Sequence, residues 1–329
     1  MGALTGRVVL ITGAGRGIGR EEALFFADEG AKVVVNDPGV APDGSGRDAG
    51  VAAAVVDEIV ARGGSAVANT DSVNDWEGAR RMVDTAVEAF GDLHAVVNNA
   101  TIKADRAMTR MTEREFDDVV AVKLKGTFAV SRWAARYWRA QYESGIRVDR
   151  AIVTTSSGSG LTNPLPGQTN YAAANAGVAA MTISSALELG RYGVRVNCIS
   201  PSMARTRLTL GVPGMSDSPP SGTFDPLHPG ASAPVAGYLA SADCPLTGQV
   251  LVVRGSTVVV ANGWSPGAHV TRDGSLWTVD ELGKALGELR FADQFEKLAH
   301  ALGGALGAAG RERIQQLINA QLDEVSPGS

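Results

Sequence analysis

The stretch RVVLITGAGRGIG, residues 7–19, runs an apolar, β-branched segment straight into a glycine turn, and helical spacing follows it. Glycines in such a turn let the backbone bend sharply and approach a pyrophosphate, which rests on the free N–H groups of the helix N-terminus. The spacing is T-G-x-x-x-G-x-G, with Gly13, Gly17 and Gly19, and Ile18 stands where G-x-G-x-x-G would place its last glycine. A glycine turn alone is weak; inside a strand–turn–helix unit it predicts a dinucleotide site built on Gly13, Arg16, Gly17, Ile18 and Gly19.

Outward from this unit, short apolar runs alternate with helical stretches. The runs are KVVVN (32–36), SAVAN (65–69), LHAVVN (93–98), RAIVTT (150–155), VRVNCIS (194–200) and QVLVVR (249–254). Between them lie segments such as WEGARRMVDTAVEAFG, with apolar residues at three- and four-residue spacing. Strands buried on both faces and separated by helices predict an α/β fold, a doubly wound seven-stranded parallel sheet of the Rossmann kind. Two long loops interrupt the alternation, at 37–50 and 211–230; the second is dense in Pro, Gly and Ser and reads as a lid or substrate loop. Beyond residue 254 the pattern changes: STVVVANGW reads as one further strand, and helices follow, ending in RERIQQLINAQLDEV. The expected division is a catalytic domain over 1–265 and a C-terminal helical extension over 266–329 that packs on its own domain or on a partner subunit.

The 329 residues are 44% hydrophobic, enough for one large core. A net charge of −5 offers no basic footprint for nucleic acid. Cys198 and Cys244 are far apart in apolar contexts and read as buried reduced thiols, with no metal-binding motif around them. The chain enters a strand at once, without a signal-peptide pattern, and no apolar run approaches the roughly 18 residues of a membrane helix. The expectation is a cytoplasmic protein acting on a small-molecule substrate.

The second strand ends in Asn36-Asp37, where a carboxylate binds both ribose hydroxyls of an adenosine half. Arg16 points the other way, since a cation beside the glycines meets a 2′-phosphate. A carboxylate at hydrogen-bonding range repels that phosphate, so Asp37 favours NAD over NADP.

Four motifs now stand in one order: the glycine loop, VVNNA (96–100), TSSGSG (155–160) and NYAAAN (170–175). This order resembles that of the short-chain dehydrogenases/reductases over residues 5 to about 265. VVVNDPG, SAVANTDSV, VKLKGTF and ELGRYGVRVNCISPSMARTRLT are similar to the branch holding the (3R)-hydroxyacyl-CoA dehydrogenase units of peroxisomal multifunctional enzymes and their actinobacterial relatives. The resemblance implies oxidation of a 3-hydroxyacyl-CoA or steroid-like alcohol with NAD, in a homodimer or homotetramer. It implies Asp71 and Ser72 at the adenine, Asn98 and Ala100 along the cofactor, and Thr206 at the nicotinamide carboxamide. It further implies Ser157 on the substrate oxygen and Tyr171 as general acid/base. The family's serine spacing lands on Gly158; a loop LTNPLPGQ one residue longer than usual aligns Ser157, with Ser159 as the alternative.

The chain departs from the family at Asn175, where Y-x-x-x-K has lysine, at Lys123, where asparagine or histidine is usual, at Thr101 in place of the glycine of N-N-A-G, and at Ser202. The first departure bears most on the chemistry. Residues four apart on a helix share a face, so Tyr171 and Asn175 address one ribose. A lysine there binds the ribose and lowers the tyrosine pKa from about 10. Asparagine keeps the hydrogen bonds and lacks the charge. Lys123 either reaches into the vacated space and supplies that charge, or is a surface lysine beside Lys125. The reading that follows is an NAD(H)-dependent enzyme interconverting a secondary alcohol and a ketone on a bulky substrate, through Tyr171, Ser157, Asn175 and Lys123. Two alternatives remain on the same scaffold: a non-redox dehydratase, isomerase or cyclase using Tyr171, and a degenerate binding subunit.

Overall fold

The computed structural model describes residues 2–163, 165–210, 215, 218–220, 222–263, 267–272, 277–290 and 311–324. Strand β1 (Val8–Thr12) is buried along its whole length, as a continuous apolar run requires when helices cover both faces. Alternate residues serve opposite cores. Val9 and Ile11 pack with α1 (Gly17–Asp28), α2 (Gly50–Ala61) and α8 (Ala233–Ala240). Val8 and Leu10 pack with α3 (Trp76–Phe90), α5 (Gly126–Glu143) and α7 (Thr169–Leu189).

Strands β2 (Lys32–Asn36), β3 (Ser65–Asn69), β4 (Ala95–Asn98), β5 (Arg150–Thr155), β6 (Val194–Pro201) and β7 (Val250–Arg254) complete the parallel set. The order is β3-β2-β1-β4-β5-β6-β7, with one further strand beyond β7, so the chain reverses its direction of winding between β1 and β4. The carboxyl ends of these two strands open the crevice where doubly wound sheets hold their ligands.

The sheet has eight strands where seven were expected. The eighth, β8 (Thr257–Val260), is the further strand read in STVVVANGW, and it pairs antiparallel with β7. The loop Gly255-Ser256 between them is two residues long with Gly255 at φ +53°, which suits the right-handed twist of a hairpin. Among the described residues, the C-terminal extension carries α9 (Val279–Gly287) and α10 (Arg311–Glu324). Residues 291–310 of the extension, and 211–214, 216–217 and 221 of the expected lid, lie outside the described residues. Among the described residues no helix is long and apolar enough to cross a membrane. Both cysteines are buried and free.

Helix α4 (Glu113–Val120) starts at a capping box, Thr112 with Glu115, and runs through a π-helical turn, Ala121–Lys125, into α5. The wide turn carries Lys123 inward, to 1% exposure, which rules out the surface reading. Across the fold, Glu22 on α1 is 0% exposed, and neither of its carboxylate oxygens nor the neighbouring Ser232 Oγ completes a hydrogen bond. Burial pushes Glu22 up to about 8, against the pull of Lys123 and Ser232. Burial brings Lys123 down to about 8, against Cys198 and Glu22.

These two shifts act on stability in opposite windows. Between about 4.5 and about 8 the folded chain keeps the Glu22 proton that the unfolded chain has lost, so stability falls as pH rises. Between about 8 and about 10.5 the unfolded chain holds the Lys123 proton that the folded chain sheds, so stability rises again. Urea denaturation at pH 5 and pH 8 is expected to show a loss on the order of a few kcal/mol in the native protein. Glu22→Gln should flatten that difference; parallel behaviour of the two proteins would contradict it.

Candidate active site

The crevice is a cleft of about 810 Å3 lined by the glycine loop, the ends of β2, β4, β5 and β6, and the face of α7 that bears Tyr171. Its floor is a knot between the ends of β1 and β4. Thr12 Oγ1 accepts hydrogen bonds from the Asn99 and Ala100 amides, both at 3.1 Å. Asn99 Nδ2 donates back to the carbonyls of Thr12 (3.2 Å) and Gly13 (3.1 Å). Gly13, at φ +64°, has Ala100 Cα only 2.8 Å from where a Cβ would stand. Gly19 does not line the cleft; a Cβ there would meet the Gly13 carbonyl at 2.3 Å, so its work is to let α1 pack against the loop. Gly13, Arg16, Gly17 and Ile18 do line it. The N-terminus of α1 carries no side-chain cap, which leaves its first N–H groups available to a pyrophosphate. The close backbone contacts and the uncapped helix fit a dinucleotide.

At the adenosine end Asp37 is buried, accepting from Gly15 N (3.0 Å) and Gly39 N (2.7 Å), one bond to each oxygen. A carboxylate oxygen has room for a second donor, so a ribose hydroxyl pair fits. Arg16 Nη1 donates to the Val40 carbonyl at 3.3 Å. Arg207, on the cleft wall, was not singled out from the sequence; burial lowers its pKa first, then repulsion from Arg16, while Asp37 raises it. Ser72 reaches the cleft, and Asp71 does not. The Asp71 carboxylate is held by Arg81 Nε (2.9 Å) and Nη2 (2.6 Å). Asn98 also misses the cleft: its Nδ2 donates to Ser131 Oγ at 3.0 Å on α5, and Asn99 faces the cleft instead.

At the other end Ser157, Tyr171, Lys123, Ala100 and Thr206 line the same space. Burial raises the Tyr171 phenol above its usual value; the Ser157 and Thr101 hydroxyls pull it down, Asp105 adds to the rise, and the Asn175 amide opposes it. Cys198 and Glu22 are the groups that hold the Lys123 pKa up against burial, and Lys123 is not among the groups that shift the phenol. Asn175 is 0% exposed; its Nδ2 donates to the Tyr171 carbonyl at 2.8 Å and its Oδ1 has no hydrogen-bond partner. Asn175 does not itself line the cleft; it lies one helical turn behind Tyr171, with a buried acceptor still open to a donor. Ser159 is spent elsewhere, donating to Gln168 Oε1 at 2.8 Å, so Ser157 is the serine beside the tyrosine. Met203 forms part of the wall at φ +54°, a left-handed conformation that is strained for a residue other than glycine.

Asp105 was missed by sequence reasoning. Its side chain is 6% exposed, bound by Lys103 Nζ (2.9 Å) and Gln168 Nε2 (2.8 Å), with Oδ1 unpaired. The available signal was positional: residues just past the end of a parallel strand lie at the ligand crevice, and TIKAD follows VVNNA.

The family described as short chain dehydrogenase matches residues 7–213. The hydroxyacyl-CoA dehydrogenase ChsB1 of Mycobacterium tuberculosis is 42% identical over 286 residues, covering 85% of this chain and 87% of that protein. The peroxisomal multifunctional enzyme type 2 of Drosophila melanogaster is 39% identical over 267 residues, 81% of this chain and 41% of that longer protein. The crystal structure of a short chain dehydrogenase from Mycobacterium avium superimposes with a TM-score of 0.78 at 48% identity, covering 88% of this chain and 96% of that one. With the glycine loop, the serine and the tyrosine in one cleft at the sheet's switch point, these likenesses place the chain in the short-chain dehydrogenase/reductase family.

Proposed function

We propose that the protein is an NAD(H)-dependent oxidoreductase that interconverts a secondary alcohol and a ketone on a 3-hydroxyacyl thioester or a similarly bulky substrate. The observation that carries this reading is the pairing of Ser157 and Tyr171 in the cleft that also holds Asp37 and the glycine loop. The names of the relatives support the thioester class. Gly13, Gly17 and the N-terminus of α1 would hold the pyrophosphate, Asp37 the adenosine ribose, Asn175 the second ribose, and Thr206 the carboxamide. The nicotinamide supplies hydride chemistry when bound. Ser157 holds the substrate oxygen, and Tyr171 exchanges a proton with it. Burial, with Asp105, raises the phenol's pKa against Ser157, Thr101 and Asn175, so Tyr171 acts as a proton donor in ketone reduction and takes the proton back in alcohol oxidation.

Lys123, buried and lining the same cleft, would supply the positive charge that Asn175 lacks. Residues 1–265 form the catalytic domain and 266–329 an extension. Phe128 on α5 and Leu187 on α7, 48% and 83% exposed, support a homodimer or homotetramer through these helices.

Calorimetric titration should show NADH binding at least tenfold more tightly than NADPH, about 1.4 kcal/mol or more. Asp37→Ala should narrow that gap, and equal affinities in the native protein would give the choice to Arg16 and Arg207.

Tyr171→Phe keeps the ring packing and removes only the transferable proton. Turnover of acetoacetyl-CoA with NADH should vanish while NADH affinity stays within a few-fold; near-native turnover would refute the reading.

Lys123→Ala should lower kcat/KM for NADH ten- to a thousandfold, about 1.4–4 kcal/mol. Lys123→Asn combined with Asn175→Lys should recover more activity than the single alanine variant retains. Neutral behaviour of Lys123→Ala would remove this lysine from the site.

A further inference from the structure

The segment after β4 is fastened to α7 at several points. Asn170 Nδ2 donates to the carbonyls of Ala104 and Glu115, both at 2.9 Å, and the Arg106 amide donates to the Gly167 carbonyl at 2.8 Å. Gln168 binds Asp105, and the Tyr171 ring packs in one cluster with Ile102 and Ala174. On its other side the segment starts from the Thr12–Ala100 knot, so residue 101 is held between two rigid anchors. A glycine at 101 would put nothing there. This chain puts a hydroxyl on the wall of the cleft that Tyr171 and Ser157 also line, one residue before the Ile102 that packs with the Tyr171 ring, and that hydroxyl, like Ser157's, pulls the phenol's pKa down. Thr101 Oγ1 donates to the Ile102 carbonyl at 3.3 Å, a long contact that a better acceptor would displace.

We propose that Thr101 is a positioning residue of the reaction: its hydroxyl turns from the Ile102 carbonyl to donate to the Tyr171 oxygen as that oxygen gives up its proton. This rests on the reading of Tyr171 as the acid/base. In the reductive direction the phenol O–H bond breaks, the proton passes to the substrate oxygen, and the substrate carbon receives hydride from the cofactor. The phenolate left behind has two hydroxyl donors in its cleft, Ser157 and Thr101, and Lys123 lines that cleft in place of the cation the family carries on the tyrosine helix. Hydrogen bonds to an ionised acceptor are the strong ones, and donors held by the fold need no rearrangement to act. Asp105 and Lys103 also face this space, as a pair bonded to each other at 2.9 Å.

The test compares Thr101→Val, which keeps the shape and removes the hydroxyl, with Thr101→Ser, which keeps the hydroxyl. Near-ultraviolet tyrosinate absorption, recorded as each protein minus its own Tyr171→Phe derivative, isolates this phenol without any substrate. Removing a donor to the charged form raises a phenol's pKa, so Thr101→Val should move the titration up by about one unit. Thr101→Ser should leave it in place. With acetoacetyl-CoA and NADH, kcat should fall about tenfold in Thr101→Val, with its alkaline limb displaced in the same sense, while KM for NADH holds. Thr101→Ser should recover most of the loss. Native titration and native kcat in Thr101→Val would overturn the proposal, as would an equal loss in Thr101→Ser. Should Tyr171→Phe itself turn over at the native rate, the acid/base reading fails. Loss in Tyr171→Phe with no effect of Thr101→Val sinks only the role of Thr101.

Discussion

Everything at the site hangs from the bond between Thr12 Oγ1 and the two amides of Asn99 and Ala100. One hydroxyl ties the end of β1 to the end of β4, the two strands between which the sheet changes winding direction. On one side of that tie the chain must turn as the glycine loop, because Gly13 lies so close to Ala100 that no side chain fits. On the other side it leaves as the segment that meets Tyr171. The cofactor loop and the acid/base are thus located from a common origin, and the distance between them is set by backbone rather than by long side chains.

The electrostatics of the cleft are arranged around buried oxygens that lack a donor. Glu22, Asn175 and Asp105 each bury at least one oxygen that finds no donor, and a buried acceptor left unpaired destabilises the fold by about 1–3 kcal/mol. Such groups are retained where a ligand or a charge balance uses them. Asn175 and Asp105 sit in or beside the cleft. Glu22 lies behind it, in charge range of Lys123. The site has lost the lysine that its family keeps on the tyrosine helix and holds instead a buried lysine on a neighbouring helix, facing a buried acid.

The parallel sheet was legible because strands covered on both faces leave unbroken apolar runs, and the glycine loop because its spacing answers to backbone contact. The antiparallel β8 was readable only as an extra strand, since its valines are half exposed and follow no buried pattern. Motif position picked out Tyr171, Ser157 and Asp37, and all three line the cleft. It could not say where a side chain points. Asp71 is drawn off by Arg81 and Asn98 by Ser131, and those partners lie on separate helices. Asp105 belongs to no motif, and its burial follows from Gln168 and Lys103 closing over it.

The π-helical turn at Ala121–Lys125 has a consequence for how Lys123 is encoded. A turn of this kind holds one residue more than an α-helical turn, and each residue rotates the helix by about 100°. Loss of one residue of the turn ahead of Lys123 would rotate the lysine by about 100° relative to α4 and away from its buried position, with its chemistry unchanged. The address of this charge is therefore written in a residue count. A point substitution elsewhere in the turn leaves it in place, whereas a deletion of three nucleotides from the coding sequence would relocate it.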